Sequence, residues 1–183
     1  MSRICNNIRQ LNTIINTGVS VRGEAFWSNI LFPGFHLAPI LHDILSIHKG
    51  RLTDDLWTRQ RECFRLAASI YAAELRRFFG MDHIPATIYS AKLQTMLTSP
   101  GILPSWGRSN ILLLWTLVVG ASLPCVPQAM RSDFTDMLLT CVQVAGVSSF
   151  QELASLVSSF MWCDAALGPS LSALQYRLPS PLW

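Results

Sequence analysis

The sequence predicts an all-α fold, a single helical domain of about seven helices around a central apolar helix. Two observations predict it. Apolar residues recur at helical spacing along most of the 183 residues, which is the pattern of one buried helix face. The short β-branched runs lie inside these longer helical patterns, so no segment is predicted as a strand. Because no linker is long enough to divide the chain, we expect one domain over residues 1–183, with a Pro- and Ser-rich tail at 168–183.

The first third of the chain contains two predicted helices separated by a loop. The first helix follows an amphipathic set, Ile4, Ile8, Leu11, Ile14 and Ile15. Breaking residues then interrupt the pattern at Gly18, Gly23, Pro33 and Gly34. Residues 19–34 are therefore expected to form a loop. A second helix is predicted from Leu37 to His48, with Gly50 as the residue that ends it.

The clearest predicted helix runs from Asp54 to Phe79. Thr53 is its candidate N-cap, and Asp54 and Asp55 fall in the first turn, where the helix dipole favours anions. Gly80 follows the last turn and is expected to end the helix. Its apolar stripe consists of Phe64, Ala67, Ala68, Tyr71, Leu75 and Phe78.

The second half of the chain contains the remaining helices. They are predicted at Ile88–Leu97, Ser105–Leu123 and Arg131–Val144, and in the segment after Ser149. Pro124–Pro127 is expected to be a turn, and Gly146 to end the helix before it. Ser149 and Glu152 have the spacing of a capping box, in which each side chain bonds to the other residue's backbone N–H.

The apolar run Ile111–Leu123 could be a core helix or a membrane span. No charged residue lies between Arg108 and Arg131. A bilayer core needs about 20 consecutive apolar residues, whereas this run is shorter and is followed at once by Pro124 and Pro127. We therefore predict a buried central helix and keep the membrane span as an alternative.

Composition narrows the class of protein. Half of the residues are hydrophobic and 14% are charged, against about 25% charged in an average soluble domain. This indicates either a large core or apolar surface that a partner covers. The net charge of +3 is too small to indicate an acidic partner. The five cysteines form no C-x-x-C pair and fit neither a full disulfide framework nor a zinc site. With no signal-peptide pattern at the N-terminus, we expect an intracellular protein with buried free thiols.

No residue pattern predicts catalysis or metal binding. His36, His42 and His48 are six residues apart, a spacing that spreads them around a helix instead of converging on a metal ion. Asp43 could share a helix face with His36, and Asp82 adjoins His83 in a predicted turn. The phosphate-loop, dinucleotide-binding and nucleophile-elbow motifs are all absent.

Two residue classes admit a binding function. Arginines make the third helix basic, at Arg59, Arg61, Arg65, Arg76 and Arg77. Because Glu62 and Glu74 interrupt them, we expect a solvated face with local ion pairs and not a DNA-reading helix. The tryptophans are Trp27, Trp57, Trp106, Trp115, Trp162 and Trp183. Tryptophan usually lies in the core, but an apolar ligand pocket between helices stays open.

Three blocks of sequence carry a family resemblance. They are ECFRLAASIYAAELRRF (Glu62–Phe78), LLLWTLVVGA (Leu112–Ala121) and SSFQELASLVSSFMWCD (Ser148–Asp164). In this order they resemble the C-terminal regulatory region of fungal-specific transcription factors, a helical middle-homology-type domain. The first is similar to the family's R-L-A-x-x-x-Y helix and the second to its apolar helix with Leu-Leu-Trp and a later Gly-Ala. The third is similar to the closing helix with Phe-x-Trp-x-Asp, so the resemblance covers about residues 59–164.

The resemblance implies a role in regulating transcription and no catalytic, cofactor-binding or metal-binding residues. The positions that match the family signature are implied to be structural; they are Arg65, Leu114, Trp115, Gly120, Trp162 and Asp164. Asp164 could, for example, pair with an arginine or cap a neighbouring helix end, and the sequence does not identify its partner. The family's zinc binuclear cluster needs cysteines in C-x-x-C spacing, which this chain lacks. We therefore expect a truncated product, a fragment or a stand-alone domain without its own DNA-binding module.

The expected function is that of a soluble transcription-regulator-like domain in the nucleus. It would act by binding a protein partner or a small effector, without direct nucleic-acid binding, cofactor or membrane; homo-oligomerisation stays open. The alternative is a small-molecule-binding or enzymatic helical domain with an apolar pocket between helices, lined by Trp and Met. The two differ in whether His36, His42, Asp43 or Asp82 lies in a closed cleft with a shifted pKa.

Overall fold

The structure is a computed structural model that describes residues 1–47, 55–81, 86–107 and 111–178. These residues form nine α-helices and contain no strand, which confirms the predicted all-α class. The α-helices are α1 (Ser2–Arg22), α2 (Ala38–Leu45), α3 (Leu56–Phe78), α4 (Ala86–Leu97), α5 (Ile102–Ser105), α6 (Ile111–Ser122), α7 (Gln128–Ala145), α8 (Phe150–Met161) and α9 (Asp164–Gln175).

Two helices form the centre of the domain. Every residue of α3 from Cys63 to Leu75 is buried, and so is every residue of α6 from Leu113 to Ser122. Helix α6 packs against α3, α7, α8 and α9, and α1 covers α8 and α9 from the outside. A helix surrounded in this way has no solvent-facing side, which explains why its sequence is apolar all round. The predicted central apolar helix is therefore confirmed.

The predicted loop at 19–34 is wrong for most of its length. Helix α1 continues through Gly18 to Arg22, and a 3₁₀ turn follows at Gly23–Ser28. A π-helical turn at Pro33–Leu37 then leads into α2. A Cβ atom on Gly18 would collide with the ring of Phe26, which folds back onto α1 from the 3₁₀ turn. Gly18 thus allows a close approach of two segments and does not break the helix.

Two further helix predictions are corrected. The central helix does not begin near Ser105, because that residue ends α5 and Gly107 has a φ of +75°. In the described residues α6 begins at Ile111. The tail from Gly168 begins inside α9, although it contains Pro169. Pro169 is exposed and lacks only one N–H, a loss that packing of the apolar face of α9 outweighs.

The predicted glycines end their helices, and one predicted capping hydrogen bond forms with a different residue. Gly80 and Gly146 follow α3 and α7 with φ values of +66° and +71°, as expected for residues that end helices. At Glu152 the backbone N–H donates to Ser149 Oγ at 3.1 Å, which is half of the predicted capping box. The carboxylate instead accepts from the backbone N–H of Ser148 at 2.8 Å.

The start of α3 differs from its prediction. Asp55 is the N-cap, and its carboxylate accepts from the Thr58 N–H at 2.7 Å. The predicted cap Thr53, together with Gly50 and Asp54, lies outside the described residues.

Among the described residues, one bent pair of helices has the length and composition of a membrane span. In the part of the chain that is described, no single helix has both the length and the apolar content to cross a bilayer. Helices α7 and α8 reach that length and composition only together, across a 96° bend.

Candidate functional site

Trp115 and Trp162, two residues predicted to be structural, pack against the same tyrosine at the centre of the domain. Trp115 of α6 is fully buried, and its Nε1 donates to the carbonyl oxygen of Met161 at 2.6 Å. Tyr71 of α3 lies between the indole rings of Trp115 and Trp162, with centroid distances of 5.6 and 5.8 Å. The contact between Trp115 and Met161 fixes the end of α8 against α6.

Polar side chains of α1 hold the connection between α8 and α9 from the other side. Arg9 Nε donates to the carbonyl oxygen of Phe160 at 2.7 Å. Asn16 Oδ1 accepts from the backbone N–H of Ala165 at 3.0 Å. The buried Asn12 amide lies between the Tyr71 hydroxyl, at 3.0 Å, and the backbone N–H of Trp162, which donates to it at 3.3 Å. We call Arg9, Asn12 and Asn16 the α1 clamp.

The other residues that match the family signature have separate partners. Arg65 is buried and forms two hydrogen bonds of 2.6 Å to the Glu62 carboxylate, which raise the pKa of its guanidinium. Asp164, whose partner the sequence left open, accepts from Ser158 Oγ at 3.1 Å. Gly120 packs against the ring of Phe134 on α7. Leu114 points away from this centre and lines a cavity.

That cavity is apolar and lies between α5, α6 and α7. Its volume is about 340 Å³. We call it the α5–α7 cavity. The residues that line it are Leu103, Pro104, Gly107, Leu113, Leu114, Thr140, Cys141, Val144 and Ala145. Thr140 and Cys141 contribute the side-chain polar atoms of this lining, and neither is ionised, since burial raises the pKa of the Cys141 thiol. The cavity can therefore take an uncharged, mostly apolar molecule.

The buried cysteines are protonated thiols at neutral pH. All five are free. Burial raises the pKa of Cys63 and of Cys163 to about 12, and raises that of Cys125 further. A thiol is nucleophilic only as the thiolate. These three cysteines are therefore protonated at neutral pH and do not supply a nucleophile.

Three of the titratable residues considered for catalysis, His36, His42 and Asp43, lie in the described residues and line no closed cleft there. His36 and His42 are exposed on the outer surface of the domain. Asp43 is held by Arg3 Nη2 at 3.2 Å and Asn7 Nδ2 at 3.4 Å. His48, Asp82 and His83 lie outside the described residues. Within the described ranges, no group of three or more His, Cys, Asp and Glu side chains could hold a metal ion.

The sequence analysis does not predict the α1 clamp. It also does not predict the α7 residues that line the α5–α7 cavity. The apolar pattern places Ile14 on the inward face of α1, but Ile14 is exposed and Asn12 is buried in its place. Trp57, expected in the core, is 58% exposed, and Trp183 lies outside the described residues. A polar residue between Leu11 and Ile15 could have signalled a buried hydrogen bond. No local signal marks Thr140 and Cys141 as cavity residues, because the cavity depends on how α5 meets α7.

No protein-family model, curated protein or solved structure matches this chain.

Proposed function

We propose that this chain is a helical regulatory domain that binds a small apolar effector in the α5–α7 cavity. The observation that carries the proposal is the cavity itself, with about 340 Å³ of space. Small-molecule sites typically have volumes of about 300–1,000 Å³ and apolar walls with a few polar groups. Here the Thr140 hydroxyl and the Cys141 thiol would orient a ligand that the surrounding aliphatic side chains desolvate.

Binding without catalysis is supported by the chemistry of the walls. None of the described residues that line the cavity is Asp, Glu, His, Lys or Arg. General acid–base catalysis needs such a group within hydrogen-bond reach of the substrate. The enzymatic alternative therefore has less support than effector binding.

The regulatory role rests on the resemblance to the fungal transcription-factor regulatory region. In that role the domain would act in the nucleus through an effector or a protein partner, with DNA contacts left to another chain. Leu114 belongs to the apolar block of the resemblance and also lines the cavity. An effector in contact with Leu114 would touch the central helix α6 directly, and through it the rest of the core.

The test is binding of an uncharged apolar fluorophore such as N-phenyl-1-naphthylamine. The variant Ala145→Phe places a ring in the cavity, while Ala91→Phe adds the same ring to α4, outside this cavity. We expect saturable binding to the unchanged protein and to Ala91→Phe. Binding to Ala145→Phe should be weaker by about tenfold or more, because the ring occupies the space the ligand needs.

Equal binding by all three proteins would contradict the proposal, since the dye would then lie elsewhere. Loss of binding in both variants would also contradict it, because both rings would then act through general destabilisation. Circular dichroism of each variant distinguishes a filled cavity from an unfolded chain.

Protein binding is the second candidate, and one observation favours it. Ile30, Leu31 and Phe35 lie close together in the chain and are 85%, 63% and 72% exposed. Neighbouring exposed apolar side chains are typical of protein-binding surfaces. Its test is light scattering of the purified protein beside Phe35→Ser. A larger species that Phe35→Ser converts to monomer would identify a second copy as the partner, whereas monomers in both cases would contradict self-association.

A further inference from the structure

Four charged side chains meet at one end of the domain, where α3 ends and α6 turns into α7. They are Glu74 and Arg77 of α3, Arg131 in the first turn of α7, and Arg177 just after α9. The connection between α6 and α7, residues 123–127, passes through the same place, because its Cys125 N–H donates to Glu74 Oε2 at 3.1 Å.

Backbone packing places Arg131 and Arg177 beside the same end of α6. Gly120 of α6 packs on Phe134 of α7, and α7 runs back along α6 after the short turn. Arg131 lies three residues before Phe134, on the same helix face and closer to the turn, so it is level with the end of α6. Arg177 reaches that end too, since its Nη1 donates to the carbonyl oxygen of Ala121 at 3.0 Å.

The nearby carboxylate is already occupied by other donors. Glu74 is 4% exposed, and both of its oxygens lie 3.0 Å from Arg77 Nη1. Arg77 balances the negative charge of Glu74, and the Cys125 N–H donates a further hydrogen bond to the same carboxylate. In the ranges that the structure describes, neither Arg131 nor Arg177 forms a salt bridge, and Arg131 Nε is buried without a hydrogen-bond partner.

The position of Arg131 is electrostatically unfavourable as it stands. The N-terminus of a helix carries about half a positive charge, so a cation in the first turn of α7 is repelled. Burial and the neighbouring Arg177 both lower the pKa of Arg131, and Cys125 and Glu74 offset only part of that effect. The carbonyl end of α6 carries only about half a negative charge and cannot balance two arginines.

We propose that Arg131 and Arg177 form a binding site for an oxyanion, the phosphate or carboxylate group of a small molecule. Two guanidinium forks at one helix junction offer donors that match the oxygens of such a group. The backbone N–H groups of residues 128–130, at the start of α7, have no acceptor within their own helix and add to the attraction. The bound anion balances the positive charges of Arg131 and Arg177, which no carboxylate pairs with in the described ranges.

The test is titration with inorganic phosphate and with acetate, at constant ionic strength set by chloride. In the unchanged protein, NMR of the arginine side chains should show saturable shifts of the Arg131 and Arg177 Nε–H signals, and none for Arg22, which is exposed on α1. Tighter binding of phosphate than of acetate identifies a phosphate group as the ligand. The reverse order identifies a carboxylate.

Matched variants then assign the effect. Arg131→Gln keeps most of the side chain and removes the charge, and Arg22→Gln removes the same charge elsewhere. Calorimetry should give binding to Arg131→Gln that is weaker by about tenfold, with Arg22→Gln unchanged. Arg177→Lys keeps a donor for Ala121 and loses the fork, so it should also weaken binding.

Three results would overturn the proposal. They are shifts that do not saturate, saturable shifts that spare Arg131 and Arg177, and equal affinities in all variants. The first NMR titration uses only the unchanged protein, so its outcome holds even if a variant fails to fold.

Discussion

Gly120 and Phe134 are in such close contact that a Cβ atom on Gly120 would lie 2.6 Å from Phe134 Cγ. Phe134 is fully buried, and Cγ is the ring atom nearest to its backbone. The ring therefore cannot give way without moving α7. The absence of a side chain at Gly120 sets the distance between the two helices.

Gly120→Ala is expected to destabilise the protein despite its better helix propensity. Alanine in a helix is favoured over glycine by about 1 kcal/mol, but forcing an atom into a packed core costs about 1–3 kcal/mol. Here the required shift involves the base of a buried ring, so we expect a net loss of about 1–2 kcal/mol in the free energy of unfolding. Urea unfolding monitored by circular dichroism measures it.

Gly34→Ala is the matched control, because Gly34 is exposed in the π-helical turn Pro33–Leu37 and an added Cβ there meets no atom of a residue beyond its chain neighbours within 4 Å. It should stabilise the protein by about 0.5–1 kcal/mol. A gain in stability at both positions would show that α6 and α7 can move apart at little cost, and that the Gly120 contact does not fix their spacing.

Trp115 and Trp162 offer a second comparison, of two buried indoles that differ in hydrogen bonding. Trp115 Nε1 donates to Met161, whereas Trp162 Nε1 has no acceptor in the described part of the chain. Changing either residue to Phe removes similar volume, but only Trp115→Phe removes a hydrogen bond. We expect Trp115→Phe to be the more destabilising by about 1–2 kcal/mol, measured by chemical denaturation.

The comparison of the two losses in the free energy of unfolding tests this prediction. If Trp162→Phe costs as much as Trp115→Phe, the hydrogen bond to Met161 contributes nothing net, and loss of ring volume dominates both substitutions.

The helices could be predicted where their signals are local. The stripe of α3, the glycines after α3 and α7, and the apolar run of α6 each specify a helix or its end without reference to distant residues. The capping pair Ser149 and Glu152 is also visible in the sequence. The exact partner of the carboxylate is not, because Glu152 can reach either Ser148 or Ser149 and the path of the chain before α8 decides which.

Long-range contacts account for the failures. Gly18, Gly168 and Pro169 resemble helix breakers in sequence, yet all three lie within helices that tertiary packing stabilises. Asn12 appears as a surface residue in sequence and is buried because Tyr71 and Trp162 approach it from elsewhere in the chain. The position of the α5–α7 cavity was likewise unpredictable, since its walls come from three helices whose packing no local pattern specifies.

Glu152 gives a prediction for pH. Hydrogen bonds from the backbone N–H and the hydroxyl of Ser148 lower the pKa of its carboxyl group in the folded state. A group whose pKa is lower when folded stabilises the fold above its unfolded pKa and loses that contribution as pH falls through the folded pKa. The stability difference between the unchanged protein and Glu152→Gln should therefore be present at neutral pH and be lost as the pH falls through the lowered pKa of the folded state.

Glu24→Gln is the control for this titration, because Glu24 is an exposed carboxylate in the 3₁₀ turn. It removes the same charge at an exposed position, and its stability is measured at the same pH values. A Glu152→Gln difference that persists unchanged in acid would mean that the side chain acts by packing and not by accepting hydrogen bonds as a carboxylate.

Thr116 and Thr135 test the cost of a buried hydroxyl in neighbouring helices. Both are buried, in α6 and α7. Thr135 Oγ1 donates to the carbonyl oxygen of Arg131 at 2.7 Å, whereas Thr116 Oγ1 has no partner in the ranges that the structure describes. Because valine has nearly the same shape, each Thr→Val change exchanges a hydroxyl for a methyl group with little change in packing.

The two substitutions should act in opposite directions. Thr116→Val removes an unsatisfied polar atom from the core and is expected to raise the free energy of unfolding by about 1 kcal/mol. Thr135→Val removes a hydroxyl that has a hydrogen-bond partner. It is expected to lower the free energy of unfolding by a similar amount, about 1 kcal/mol. Thermal and urea unfolding of the single and double variants measure both. If Thr116→Val is destabilising, its hydroxyl must find an acceptor in solution, and a water bound inside the core beside α6 would be the natural one.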